Sequence, residues 1–392
     1  MPTDPNHVRR STWLDAVLVA SGGANRLTAQ QSKALEELDD ALFDIWQLGG
    51  NIILQWTRER NQLRFLAIRH SALLQHISRS AAGQSDFITR VLGGGKFAEP
   101  RAFADVAARV GTGARIVSVE CKWRGKSLVP LVSSLVSRYG VSLVKARAAI
   151  LLDIVGFSLV SPLEQVAMLH SLSLSVNCAY RQLLGADTHI QFARTTTGDG
   201  FYIWNRARTG DANFALYKLL MLTLADNALA RKRAGKGLVP QLRAAFHVAE
   251  QYEFHHVEAV NPTTFSYIVG QVTIDLARFI ENALPGQIVI GDFNVGGADA
   301  GSHGTPDFLR KTAASLEQLE GLSVGGDHIE DIRCYLTGTQ TQARRYRAVR
   351  YPLLDKHGLT RFAYNAKINI YWRHRKAPLY LGLQHKDVRD HQ

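Results

Sequence analysis

Apolar residues recur every three or four positions in some stretches of the chain and in continuous or alternating runs in others. The first third reads as helical: Thr28-Ala-Gln-Gln31 has the pattern of a capping box, and Leu35, Leu38, Leu42 and Ile45 follow at helical spacing. Gly93, Gly94 and Gly95 mark a loop before a further short helical stretch. From about residue 145 the pattern changes to alternating strands and helices. Ala149 to Ile154 is an aliphatic run that predicts a strand, followed by a turn at Gly156. Ser161-Pro162-Leu163-Glu164 is a second capping box, with proline at the first helical position. Leu163, Val166, Leu169, Leu172, Val176, Tyr180 and Leu183 extend that helix along one apolar face.

Further on, Ile190 and Phe192 alternate, the pattern breaks at Gly198-Asp199-Gly200, and it resumes at Phe201-Tyr202-Ile203-Trp204, which predicts a hairpin with an Asp-Gly turn. A long helix covers roughly Asn213 to Lys232, with Arg231, Lys232 and Arg233 at the negative end of its dipole and Gly235 as its stop. Leu242 to Glu250 reads as a strand. Val272, Leu276, Phe279, Ile280 and Ala283 make another amphipathic helix, and Pro285-Gly286 turns into the strand Gln287 to Ile290. This order predicts an α/β (α+β) domain with a mainly antiparallel sheet flanked by helices. Past Gly301 come a helix from Thr305 to Glu320 and strands at "RCYLTG", "YRAVRYPL" and "AKINIYW". The expected organisation is a helical accessory region over 1–140, the α/β domain over 141–298 and a small basic β-rich domain over 299–392.

Composition narrows the classes. With 392 residues, 46% of them hydrophobic, the chain can bury large cores and is long enough for two or three domains. Its formal charge of +12 favours polyanionic partners, but the excess is uneven: residues 341–392 hold 12 Lys/Arg against 3 Asp/Glu. Cys121, Cys178 and Cys334 are far apart and lack CxxC spacing, so neither a disulfide framework nor a zinc site is expected. The start lacks the apolar core of a signal peptide, and charges such as Asp153, Lys218 and Asp226 interrupt the apolar segments. A cytoplasmic protein with no membrane span follows as the expectation. Gly95-Lys96 is followed by phenylalanine, and Gly125-Lys126-Ser127 has Glu120 in place of the first glycine, so both fail the phosphate-loop pattern of an ATPase.

The candidate chemistry centres on a carboxylate. Asp153 ends the apolar run "AAILLDI", where an unpartnered charge is costly to bury. Asp199 sits in the hairpin turn, and if the hairpin neighbours the first strand the two side chains converge. Converging carboxylates need a cation or a shared proton. Mg²⁺ or Mn²⁺, which complete their shells with water and phosphate oxygens, suit such a pair and a nucleoside triphosphate. Against this, an Asp-Gly turn is common in hairpins, and a strand-end aspartate is often only half exposed.

These residues carry a family resemblance. "ILLDIVGFS" resembles the metal-binding motif of class III nucleotidyl cyclases and "TTTGDGFYIW" their second metal-binding hairpin. "LRAAFHVAE" is similar to the strand with a phosphate-binding arginine, and "GQVTIDLARFIENALPGQIVIGD" to the helix-turn-strand with the transition-state arginine. The matches come in the family's order and cover about residues 145–295. The resemblance implies that Asp153 and Asp199 hold two Mn²⁺ or Mg²⁺ ions, with the Ile154 carbonyl as a further ligand. It implies triphosphate contact by Arg243 and stabilisation of the α-phosphoryl charge by Arg278, and the residues after Asp153, Gly156, Phe157 and Ser158, could cradle phosphate with their backbone amides. Read without it, Arg278 would pair with Asp275 one turn away, and Arg243 would be a strand-surface charge.

Departures from the family pattern bear on the substrate. Ile274 stands where family members carry asparagine, and the base-reading positions are Thr195 and Tyr267, which match neither the adenine-reading nor the guanine-reading pair. The large Tyr267 favours a small base, which resembles the pyrimidine cyclases of bacterial Pycsar antiphage systems and implies UTP, or else CTP, as substrate. The family's composite sites imply a homodimer. The basic C-terminus, with Tyr346, Tyr351, Tyr364 and Trp372 interleaved, faintly resembles a nucleotide-sensing domain and suits a nucleotide or nucleic-acid trigger; a basic solvated sheet face is the plainer reading. The competing readings are a non-catalytic nucleotide sensor and an adenylyl cyclase with an atypical base pocket.

Overall fold

The computed structural model describes residues 28–46, 51–59, 62–78, 85–118, 128–188, 190–207, 209–234, 239–256, 265–295, 303–340, 346–355 and 358–389. Its elements run α1 (Ala29–Ile45), β1 (Asn51–Glu59), β2 (Gln62–Arg69), α2 (His70–Ser78), α3 (Ser85–Gly93), α4 (Pro100–Val110), β3 (Arg115–Ser118), α5 (Leu128–Arg138) and β4 (Val141–Ile154). There follow α6 (Pro162–Gly185), β5 (Phe192–Thr196), β6 (Gly200–Asn205), α7 (Gly210–Ala234), β7 (Leu242–His256), β8 (Phe265–Val269), α8 (Gln271–Glu281) and β9 (Ile288–Gly291). The chain then continues through β10 (Asn294–Val295), β11 (His303–Gly304), α9 (Thr305–Ala314), β12 (Ser323–Val324), β13 (Asp327–Leu336), β14 (Gly338–Gln340) and β15 (Tyr346–Ala348). It closes with β16 (Arg350–Leu354), β17 (Thr360–Trp372), β18 (Leu379–Leu381) and α10 (His385–Arg389). The fold is mixed α+β, and the chain divides into two compact units, Met1–Lys145 with Tyr252–Val269, and Ala146–Gln251 with Gly270–Gln392.

In the first unit, Thr28 caps α1 through the reciprocal bonds its sequence predicts. Leu35, Leu38 and Leu42 of α1 pack with Leu131, Leu135 and Val136 of α5 against Trp56 and Phe65. The segment is more than helical, because β1, β2 and β3 form an antiparallel three-stranded sheet. Phe65 of β2 faces the α1–α5 cluster while Leu66 and Ile68 join Ile88, Leu92 and Phe103 in a second one, so both faces of the sheet carry helices. A strand buried on both faces loses its period-two signature, which is why the sequence pattern missed it. The Lys96 ammonium donates to the Val141 carbonyl at 2.8 Å, a structural use of the lysine that failed the phosphate-loop pattern. Gly125-Lys126-Ser127 lies outside the described residues.

The second unit holds a long sheet ordered β12-β13-β17-β9-β7-β4-β6-β5, with β16 and β18 also pairing β17. β9 runs parallel to β7, whereas β12–β13, β13–β17, β16–β17, β17–β18, β17–β9, β4–β6 and β5–β6 are antiparallel. Leu172, Val176 and Leu183 of α6 and Leu216, Leu219 and Leu220 of α7 pack on Ile150, Leu152, Phe246 and Ile290 of the sheet. The Ser161 capping box forms as expected. The expected apolar face of α6 is shorter than its sequence: Leu163 is 80% exposed and Val166 52%, while Leu172, Val176 and Leu183 are buried.

The expected boundary near residue 298 breaks nothing in the sheet, since β17 pairs β9 from Ala363↔Gly291 to Ala366↔Ile288. Ala366, Ile368 and Ile370 fill the same core as Ile150 and Leu152. The basic C-terminal face differs from its expectation too. Tyr351, Tyr364, Trp372 and Lys367 are all buried, so these rings are packing residues and are not free to stack on bases. The side chain of Tyr346 lies outside the described ones. Among the described residues no helix is long and apolar enough to cross a membrane.

Candidate active site

The site begins where β4 ends. Asp153 is in register with Gly200, the first residue of β6, and the Ile154 amide donates to the Asp199 carbonyl at 2.9 Å. The hairpin turn is thereby pinned to the strand end, and both carboxylates lie at the same edge. Gly200 is required for this approach: a Cβ there would sit 1.8 Å from the Leu152 carbonyl oxygen. Gly198 has φ +99°, a left-handed conformation that glycine supplies without strain. Thr197 Oγ1 donates to Asp199 Oδ1 at 3.1 Å and orients the second carboxylate.

Asp153 is 7% exposed. Burial pushes its carboxyl above the usual aspartate range, the Arg243 guanidinium pulls it back by a hydrogen bond and by its charge, and the nearby Asp199 carboxylate pushes it up again. Arg243, on β7, places Nε 2.6 Å from Asp153 Oδ2, and its Nη1 donates to the Ala283 carbonyl at 3.2 Å. The strand-surface reading of Arg243 therefore gives way to a contact within the site. Two carboxylates and the Ile154 carbonyl are hard oxygen donors, and a carboxylate whose proton affinity is raised by burial and by its neighbour suits a divalent cation. Asp153, Asp199 and Ile154 fit Mg²⁺ or Mn²⁺.

After Ile154 the chain turns. Gly156 adopts φ +72° and opens the 3₁₀ turn Phe157–Leu159. The Val155 amide donates to the Gln241 carbonyl at 2.9 Å, and Gln165 Nε2 donates to the carbonyls of Phe157 at 3.1 Å and Val160 at 3.3 Å. Gly156 and Ser158 are exposed and Phe157 half-buried, so the turn faces solvent beside the carboxylates.

Arg278, on α8, is not brought to this edge by any described bond. Its Nη1 donates to both Glu281 carboxylate oxygens, at 2.6 and 2.7 Å, and its Nε lies 3.9 Å from Asp355 Oδ2. Asp275, the expected partner, is engaged instead by His247 at 3.3 Å, by Gln271 at 2.6 Å and by Arg361. Burial opposes the Asp275 charge, but His247, Arg361 and Gln271 outweigh it and hold its carboxyl below the usual range. Arg361 also binds Asp355, so a residue of β17 clamps α8 to the β16–β17 turn. The sequence reading missed His247, Asp355 and Arg361; Arg361 is 86 residues from Asp275, and no local pattern marks such a pair.

The two base-pocket candidates fall in different units, Thr195 in the second and Tyr267 in the first. Thr195 is half-buried on β5, in register with Tyr202. Tyr267 is exposed on β8 and stacks on Phe254 of β7, with ring centroids 5.5 Å apart. Ile274 is 47% exposed on α8.

No protein-family model and no curated protein matches the chain. Among solved structures the chain is similar to the guanylyl cyclase Cya2, at 12% identity over 57% of this chain and 91% of that one, with a TM-score of 0.34. It is similar to the guanylate cyclase domain of RhGC from Catenaria anguillulae in complex with GTP, at 12% identity over 59% and 99%, TM-score 0.34. It is also similar to the adenylyl cyclase CyaB from P. aeruginosa, at 11% identity over 60% and 98%, TM-score 0.34. At such scores the likeness carries nothing further.

Proposed function

We propose that the chain is a divalent-metal-dependent class III nucleotidyl cyclase. It converts UTP, in preference to CTP, into the 3′,5′-cyclic nucleotide and pyrophosphate, as a second messenger in antiphage defence. The observation that carries this reading is the convergence of Asp153 and Asp199 at one sheet edge, fixed by the Asp153↔Gly200 register. It is supported by the four motifs in family order and, for the base, by Thr195 and Tyr267 at the positions that read purines in the family.

Asp153, Asp199 and the Ile154 carbonyl would hold the ions. Metal ions held there would lower the pKa of the ribose 3′-hydroxyl and offset charge on the departing phosphates. The turn at Gly156–Ser158 presents backbone toward the triphosphate. Arg243, whose guanidinium faces the buried Asp153 carboxylate in the free chain, would contact a phosphate oxygen of the triphosphate. Arg278 stabilises the α-phosphoryl charge. Among the described residues its bonds go to Glu281 and toward Asp355 and not to Asp153 or Asp199, which supports a homodimer in which each site takes its arginine from the other subunit. The exposed Leu159, Leu163 and Val166, next to the turn, supply apolar surface for such a contact.

Incubating the purified protein with each of the four nucleoside triphosphates and Mn²⁺, and separating the products, tests the reading. Cyclic UMP or cyclic CMP is expected; cyclic AMP or GMP alone would overturn the base assignment. A second reading, a binding-only sensor, is favoured by Ile274 and by the engagement of Arg278 with Glu281. Nucleotide binding with no product from any triphosphate would establish it.

A further inference from the structure

A cavity of about 290 Å³ opens in the second unit between the last turns of α7, the start of β7, the Pro285–Gly286 turn and β18. One of its buried polar groups lacks a partner. Asn227 is 4% exposed, lines the cavity, and its Nδ2 donates to nothing among the described residues. A buried amide donor left unpaired costs stability, which a ligand acceptor would recover. Arg231, exposed at the last turn of α7, also lines the cavity; its Nη2 donates to the neutral Gln241 Oε1 at 3.4 Å, and none of the residues lining the cavity is acidic. Leu224, Pro285 and Tyr380 supply apolar and aromatic wall.

We propose that this cavity binds a phosphate-bearing small molecule, with the anion at Arg231 and Asn227 and a ring or sugar against the apolar wall. Guanidinium and amide donors are the groups that recognise phosphate, and the volume holds a mononucleotide-sized molecule. Its position gives it a route to the carboxylate site. Gln241 lines the cavity, its carbonyl accepts the Val155 amide at 2.9 Å, and two residues on Arg243 contacts Asp153. A ligand that moves Gln241 therefore moves the turn after Ile154; this regulatory consequence, unlike the binding itself, rests on the cyclase reading.

Calorimetric titration of UMP, AMP and inorganic phosphate into the full-length Asp153→Asn protein tests the site apart from the carboxylate edge. We expect one of the two nucleotides to bind at one per chain, with Arg231→Ala weakening it at least tenfold. Asn227→Leu should raise the Tm of the ligand-free protein and abolish the ligand-induced Tm shift, which a purely structural asparagine would not do. Absence of binding by both nucleotides, unchanged affinity in Arg231→Ala, or phosphate binding as tightly as the nucleotides would each overturn the proposal. Absence of cyclase activity would leave the binding result standing.

Discussion

Arg243 Nε sits 2.6 Å from Asp153 Oδ2 and joins two motifs that are 90 residues apart in the chain. Asp153 carries a raised proton affinity even so, because burial and Asp199 outweigh the guanidinium. The folded chain then holds that proton more tightly than the unfolded chain does. The contribution of Asp153 to stability is therefore fully present below the ordinary aspartate range and is lost as pH rises through the raised value.

Asp153→Asn removes that cost. The metal-free variant is expected to melt a few degrees above the parent at pH 7, and the gap should close on acidification. The same substitution should lower cyclase activity by about a thousandfold and remove the Mn²⁺-induced rise in Tm. Melting curves with and without Mn²⁺, from pH 4 to 8, check all three; a variant less stable than the parent at pH 7 would refute the first.

Arg243 and Asp153 should be coupled. In a double-mutant cycle with Arg243→Ala and Asp153→Asn, measured by urea unfolding of the metal-free protein, a coupling of about 1–3 kcal/mol is expected. Additive effects would mean that the contact contributes nothing.

Gly200→Ala places a methyl group against the Leu152 carbonyl and must push the turn off β4. A loss of about 2 kcal/mol in stability is expected, with a larger fractional loss of activity than of folded protein, since Asp199 leaves Asp153. Circular dichroism melts and product assays on the same preparation separate the two effects.

Arg361→Ala leaves Asp275 and Asp355 without their shared cation. Breaking such a buried pair should cost about 3 kcal/mol. Asp275 is held below the ordinary range in the folded chain, so its contribution is present above that range and lost as pH falls through the depressed value. The variant should accordingly show less loss of stability on acidification than the parent, as read from Tm between pH 2 and 5.

Lys218 is 4% exposed and its ammonium is met by Gln318 Oε1 at 2.8 Å, a neutral partner. Burial lowers its proton affinity. Lys218→Met keeps the volume, drops the buried charge and leaves Gln318 in solvent, so a gain of about 1 kcal/mol is expected by urea unfolding.

What the sequence determined by itself was local. Both capping boxes, the Asp199-Gly200 turn and each strand and helix expected between residues 145 and 291 are present, because each depends on residues within a few positions of one another, whereas the strand β8 between β7 and α8 was not read. Asp153 and Asp199 were legible as a pair for a different reason: successive strands of a chain usually neighbour one another in the sheet, even across an intervening helix. Tertiary structure alone decided what depends on distant partners. It placed Arg243 on Asp153, bound Arg278 to Glu281 in preference to Asp275, and used Arg361 to join α8 to β16–β17. It also drew the basic C-terminal strands into the central sheet, where Tyr351, Tyr364 and Trp372 are buried. A strand's alternation says which side chains share a face, whereas only the register with its neighbours says what covers that face.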